Sequence, residues 1–478
     1  MTRKNSEATV EKQGRGDSTA LPAYFLSLSV ENVRCFGPRQ TLNLSDDKGR
    51  PAQWTIILGD NGVGKTTLLQ SFFPLLPVED PWIGGSLETE NALPSFGAPL
   101  RVGERDHKDY GRERGIVPRI MGDLRLFCEW EPRRFDKDSC EISGTFFTGA
   151  NLKERINGNE IGGFHVAFDT GSVECSLAPK WHQIGRVDCF GYGAARRQGE
   201  TSLSDRFGDD PSFSLFFEDA PLINAEEWLL RADYAASKSS PIQKQATRQR
   251  DQIKEILIKL LPDVTNIRFA QLTEAREKPR IEVKTPYGWV SVKDLSLGYK
   301  TLIAWMVDLA SRLFERYPDS SNPLTEAAVV LVDEIDLHLH PKWQRSLMGY
   351  LTDLFPNTQF IATAHSPLVV QAATDANIAV LRREGDHVII DNDVEAIRGW
   401  RIDQVLTSDL FGLESARPPE LDDLLAERRR ILSKGKITQQ DKGTLRKLEA
   451  KIGPLPAGET REDMEAMDII RRAAERLK

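Results

Sequence analysis

The stretch Trp54-Thr55-Ile56-Ile57-Leu58-Gly59-Asp60-Asn61-Gly62-Val63-Gly64-Lys65-Thr66 decides the fold of this chain. Its first five residues are apolar or β-branched without a charged break, as in a strand buried on both faces of a sheet. Three glycines follow within six residues, and Lys65, Thr66 and Thr67 then open a helical pattern. Strand, glycine-rich turn and helix in that order aim consecutive backbone N–H groups at one point, where they can curl around phosphate oxygens. The spacing Gly-x-x-x-x-Gly-Lys-Thr assigns Lys65 to the β- and γ-phosphates of a nucleotide and the Thr66 hydroxyl to magnesium. Gly59, Asp60, Asn61, Gly62, Val63, Gly64 and Thr67 complete the nucleotide-binding set.

Further along, Val329-Val330-Leu331-Val332-Asp333-Glu334 reads as a second buried strand with two carboxylates at its C-terminal end. That is where ligands bind in open α/β sheets. Asp333 is placed to hold magnesium through water, and Glu334 to orient and deprotonate an attacking water. Alone, the pair could equally be an acidic loop closing a strand. Asp294-Leu295-Ser296-Leu297-Gly298-Tyr299-Lys300 precedes a helix expected from Lys300 to about Tyr317. A serine hydroxyl and free N–H groups at a helix start form an anion site, and also an ordinary N-cap. In Ile361-Ala362-Thr363-Ala364-His365-Ser366-Pro367, a third buried strand ends on a histidine.

These segments run in the order found in ABC-type ATPases, and the chain resembles that family from about residue 24 to 375. The resemblance implies an α/β fold: a P-loop NTPase head with a mixed sheet, a helical insertion and a C-terminal helical tail. It makes Ser296 and Gly298 the signature that reads the γ-phosphate of the opposite subunit, and His365 a contact to that phosphate that positions the water. Leu297 and Tyr299 depart from the transporter form of the signature. Because Lys65 and Ser296 then act on one ATP from different subunits, a head-to-tail dimer with two buried nucleotides is expected. The activity implied is a slow ATPase.

Within the family the chain is similar to the RecF/Rad50/OLD-like group. Val33-Arg34-Cys35-Phe36 resembles the start of those proteins, which would bring Arg34 to the nucleotide. Asp336-Leu337-His338-Leu339-His340-Pro341 resembles the segment that follows the carboxylates, with Asp336 crossing the dimer interface and the histidines structural rather than metal ligands. Gly191-Tyr192-Gly193-Ala194-Ala195-Arg196-Arg197 follows a strand and would place arginines near the site. Glu226-Glu227-Trp228-Leu229-Leu230, the form of the signature, and Trp400-Arg401-Ile402-Asp403-Gln404-Val405-Leu406 resemble the PtuA-like ATPases of Septu and retron-associated antiphage systems. That resemblance implies a partner nuclease of the HNH type, with nucleic acid contacted directly or through it, and no nuclease activity in this chain. Asp391-Asn392-Asp393 is a lone acidic turn without a companion glutamate. A RecF/Rad50-like repair ATPase clamping DNA is the alternative; an energised membrane permease and a vestigial, ATP-binding structural protein are the weaker ones.

The rest of the chain sets bounds. At 478 residues with net charge −8 it is large enough for a sizeable core and not a bulk electrostatic coat for nucleic acid. Its five cysteines lack a Cys-x-x-Cys pair, which fits a reducing cytoplasm. Residues 1–20 read as a disordered, polar N-terminus, and no run is long and apolar enough to span a bilayer. The head is expected over 21–400, with a polar excursion at about 84–119 and a helical arm at about 225–261 broken by Pro241. A charged helical tail for partner docking follows at 401–478, with helices around 421–432, 445–452 and 464–477.

Overall fold

The computed structural model describes residues 23–31, 33–73, 188–199, 212–270, 279–394, 399–413, 415–434 and 437–453, together with the backbone of strands at 119–127, 135–146 and 166–167. The expected N-terminal segment 1–20, nearly all of the polar excursion, and the third tail helix lie outside these residues. Contacts divide the chain into two units, 1–400 and 401–478.

In chain order the strands are β1 (Ala23–Glu31), β2 (Gln40–Asn43), β3 (Trp54–Gly59), β4 (Arg119–Phe127), β5 (Phe135–Phe146), β6 (Val166–Ala167), β7 (Cys189–Tyr192), β8 (Asn266–Ala270), β9 (Arg280–Thr285), β10 (Gly288–Ser291), β11 (Ala328–Val332), β12 (Thr358–Thr363), β13 (Asn377–Glu384) and β14 (His387–Asp391). The sheet that carries the motifs has the order β14-β13-β3-β12-β11-β7. Only β14 runs antiparallel, as a hairpin on β13; every other neighbouring pair is parallel. The continuous apolar runs are explained by this placement: β11 and β12 are buried at every position. Parallel pairing also brings the C-terminal ends of β3, β12, β11 and β7 to one edge, with Thr363 opposite Ile57, Val332 opposite Ala362, and Val332 opposite Tyr192. The loops after these strands therefore share one edge.

An antiparallel sheet, β2-β1-β4-β5-β6, supplies the second layer. Phe25, Leu28 and Val30 of β1 share a core with Leu68, Leu69 and Phe72 at the helix Lys65–Gln70, and with Ile57, Leu331 and Ile361 of the parallel sheet. Neighbouring Leu28, Ser29 and Val30 are all buried, so both faces of β1 are covered in this sheet. Asn392 of the acidic turn takes part in it structurally: its amide donates to the Thr41 backbone oxygen at 2.7 Å, and its carbonyl accepts the Asn43 N–H at 2.9 Å.

Helices Ala225–Ser237 and Gln243–Leu260 pack on each other and on the helix Leu297–Arg316. Ile253, Ile256, Leu257 and Leu260 are buried. The helical segment expected as an arm at about 225–261 thus packs against its own unit. The helix after the signature begins three residues earlier than expected, at Leu297, because Ser296 is its N-cap position. In the second unit, helices Pro419–Leu432 and Gln439–Ile452 are joined through Lys434 and Thr438, whose hydrogen bonds hold the Asp441 carboxyl well below the usual carboxylate range. Among the described residues no helix is long and apolar enough to cross a membrane.

Candidate active site

The phosphate loop owes its shape to glycine. Gly59, Gly62 and Gly64 have φ of 145°, 81° and 89°. These values favour a residue without a side chain. Gly64 also leaves no room: a Cβ there would stand 2.4 Å from Cys35 Sγ. Lys65 is 7% exposed, and its ammonium donates to the Gly59 and Asp60 backbone oxygens, 2.8 Å each. Burial pushes the Lys65 ammonium below its usual range, while Asp333, Glu334, Asp60 and Asp336 oppose that shift.

The carboxylates come from β11 to meet this loop. Thr66 Oγ1 donates to Asp333 Oδ2 at 2.6 Å, across most of the chain. On its other oxygen, Asp333 Oδ1 accepts from Thr363 Oγ1 at 2.5 Å, and the same Thr363 oxygen accepts the Glu334 N–H at 2.7 Å. The Asp333 N–H donates to the Tyr192 backbone oxygen at 2.8 Å. A threonine hydroxyl and a carboxylate oxygen converging beside a lysine are the hard donors that magnesium selects, so Thr66 and Asp333 suit that ion. Bound there, magnesium would neutralise charge on the phosphates. Glu334 lies half-buried at the edge of this set with φ of 48°.

His365 is exposed at the end of β12, and its N–H donates to both Asp336 carboxylate oxygens at 3.2 Å. Asp336, read as a residue that crosses to a partner, thus has a role within its own chain. Gln344 completes this corner, donating to the Asp336 and Leu339 oxygens and accepting from Ser366 Oγ at 2.7 Å. His340 caps the helix Pro341–Leu354 by accepting the Lys342 N–H, and no metal cluster occurs among the described residues. Arg34, at φ 49°, donates to Thr67 Oγ1 at 3.2 Å and Gln70 Oε1 at 3.3 Å, on the flank of the phosphate-loop helix.

Ser296 and Gly298, the expected signature, make no hydrogen bond to this set. Ser296 is exposed and makes no side-chain cap bond, and Leu297 beside it is 58% exposed. Gly298 is buried against the His338 backbone, and Tyr299 donates to the Pro262 oxygen and packs edge-on to Trp343. Lys65, Thr66, Asp333, Thr363 and Glu334 are brought together; Ser296 presents its hydroxyl to solvent.

Two residues of this site carried little signal in the sequence. Thr363 reads as an ordinary strand threonine. Arg196 stood in a run only loosely tied to the site, yet it is 2% exposed and donates to the Asp333 backbone oxygen at 2.5 Å and the Glu334 oxygen at 2.9 Å. The glycines ahead of it, in Gly191-Tyr192-Gly193, were the available hint of a tight turn.

Residues 190–371 match the family model described as "AAA domain, putative AbiEii toxin, Type IV TA system", and residues 27–75 match a model described as "AAA domain". The "Septu protein PtuA" of Bacillus mycoides (strain KBAB4) is 24% identical over 444 residues, covering 91% of this chain and 52% of that protein. The "Retron Vc95 probable ATPase" of Vibrio cholerae serotype O1 biovar El Tor is 49% identical over 92 residues, 19% of this chain and 18% of that protein. The chain therefore spans about half the length of the first relative and less than a fifth of the second. The SMC head domain from Thermotoga maritima aligns at 14% identity and a TM-score of 0.36, over 77% of this chain and 99% of that one. The sheet order, the loop and the carboxylate pair define the fold without that overlap. The chain thus has an α/β sheet with a phosphate loop and a carboxylate pair at one edge, and in sequence it is similar to the Septu protein PtuA and the retron ATPases.

Proposed function

We propose that this chain hydrolyses ATP as a head-to-tail dimer and serves in the cytoplasm as the regulatory or sensor subunit of an antiphage defence complex, restraining or releasing a partner nuclease of the HNH type. The observation that carries the hydrolytic part is the connected set Thr66–Asp333–Thr363–Glu334 beside a buried Lys65. ATP entering the loop would take the Lys65 ammonium from the Gly59 and Asp60 oxygens onto its phosphates. Glu334 would accept the proton of the attacking water, with His365 at the rim. Thr66 and Asp333 would hold magnesium.

The dimer is supported by what the site lacks within one chain. Ser296, with an uncapped helix start behind it, would serve as an anion site from its exposed position. A second copy would bring it to the nucleotide on Lys65. The defence role rests on the relatives named above.

The test is a pull-down of tagged Glu334→Gln chain from its native host with ATP and magnesium, a change that should keep ATP bound and the dimer closed. A nuclease recovered in stoichiometric amount supports the reading. DNA without any nuclease favours a repair ATPase instead, and a bare dimer leaves only ATP hydrolysis.

A further inference from the structure

The backbone of Glu334 is held at both ends. Its φ of 48° is a left-handed conformation, which a side-chain-bearing residue holds only where its surroundings impose it. Thr363 Oγ1 accepts its N–H at 2.7 Å. On the other side, the Arg196 guanidinium donates through one nitrogen to the Glu334 oxygen at 2.9 Å and through the other to the Asp333 oxygen at 2.5 Å. One planar fork therefore spans two successive carbonyls.

We propose that Arg196 is a positioning residue for Glu334: it fixes the left-handed turn that aims the catalytic carboxylate, and ties that turn to the helix bearing the signature. This rests on the hydrolytic reading given above. The guanidinium is itself held from two directions. Gly193 sits so tightly on Ser214 that a Cβ would lie 2.1 Å from the Ser214 backbone oxygen, which locks the loop leading to Arg196. Arg196 also stands over the ring of Trp305, 5.6 Å from its centroid, and Trp305 belongs to the helix Leu297–Arg316. Movement of that helix on dimer closure would reach Glu334 through this contact.

Arg196 is costly to bury. Burial pushes its guanidinium down to about 10, with Asp333, Asp336 and Glu334 opposing the shift, so it stays charged at neutral pH. Its Nε has no hydrogen-bond partner among the described residues. Simple neutralisation of the carboxylates would not need both terminal nitrogens on backbone oxygens. The fork geometry is what a lysine, with one compact ammonium, cannot reproduce.

The experiment compares the full-length chain with its Arg196→Lys, Arg196→Ala and Glu334→Gln forms and the Arg196→Lys/Glu334→Gln double form, measuring turnover, ATP Kd and thermal melting. Misplacing a catalytic group by an ångström can cost a hundredfold, so kcat should fall about tenfold in Arg196→Lys and about a hundredfold in Arg196→Ala. ATP Kd should stay within about threefold, because the loop 59–66 is untouched. In the Glu334→Gln background, Arg196→Lys should cause no further loss, since the group it aims is already gone.

Additive losses in the double form, or Kd rising in step with the fall in kcat, would overturn the proposal. So would unfolding of both Arg196 variants, which would make the arginine a folding determinant. If Glu334→Gln turned over like the parent, the hydrolytic reading would fall first. If only the Arg196 variants kept full kcat, this inference alone would fall.

Discussion

Gly298 lies so close to His338 that a Cβ built on it would stand 2.4 Å from the His338 backbone oxygen. The clash is with main chain, so no rotamer change relieves it. Gly298, expected in the signature, is thus required for packing within one chain, whatever it does for a second. His338 in turn has φ of 64°, so the segment it occupies has little freedom to retreat.

Gly298→Ala should therefore displace the start of the helix Leu297–Arg316, destabilising the chain by about 1–3 kcal/mol, as overpacking does. ATP binding to the loop 59–66 should persist, while ATP-dependent dimerisation and turnover fall at least about tenfold. Equilibrium binding of a fluorescent ATP analogue, light scattering and phosphate release read the three separately. A variant that binds, dimerises and hydrolyses like the parent would remove the signature from the mechanism.

Lys65→Met separates ligand recognition from folding. The ammonium is buried on two loop oxygens, an arrangement whose desolvation cost a methionine would not share. Without nucleotide the melting temperature should be unchanged or slightly higher. The stabilisation by saturating ATP and magnesium, about 2.7 kcal/mol at a hundred times Kd, should vanish. Calorimetry with and without nucleotide checks both halves; retained stabilisation would mean that Lys65 is not the phosphate ligand.

Thr363 can be tested by two replacements of different kind. Valine keeps its shape and removes its oxygen, leaving the Glu334 N–H and Asp333 Oδ1 without the bonds now measured at 2.7 and 2.5 Å. Unmade bonds of this kind cost about 1–3 kcal/mol. Thr363→Val should lower both stability and kcat, whereas Thr363→Ser, which keeps the hydroxyl, should restore most of kcat. Equal loss in the two would show that the methyl rather than the oxygen matters.

What could be read beforehand follows from how local each signal is. The β3 strand, the loop and its lysine are contiguous, and glycine spacing alone specifies a phosphate cradle. The carboxylate pair was legible for the same reason. Sheet order was not, because β3 pairs with β12 and β13, some 300 residues further on. Arg196 was expected near the site from its run after a strand, but its reach to Asp333 and Glu334 exists only because β7 pairs in parallel with β11, setting Gly191 opposite Leu331 and Tyr192 opposite Val332. The contact of Asp336 with the His365 N–H was likewise invisible, because nothing in its own motif points to β12.

The same non-local pairing gives the final prediction. Asp308, on the signature helix and 3% exposed, accepts from Tyr192 Oη at 3.0 Å, Arg312 Nε at 2.7 Å and the Ile223 N–H at 3.2 Å. Tyr192 meanwhile takes the Asp333 N–H on its backbone oxygen, so one buried carboxylate joins the helix to the strand beside the active carboxylates. Burial, reinforced by Asp308, pushes the Tyr192 phenol well above its ordinary range, so it remains a neutral donor. Removing one partner of a buried pair costs about 3–5 kcal/mol, because the other charge is left uncompensated. Asp308→Ala should lose that much stability to denaturant and Asp308→Asn, which keeps acceptor capacity, distinctly less. Adding Arg312→Met to Asp308→Ala should recover part of the loss by removing the stranded charge. If it recovers nothing, the network is held by the tyrosine alone.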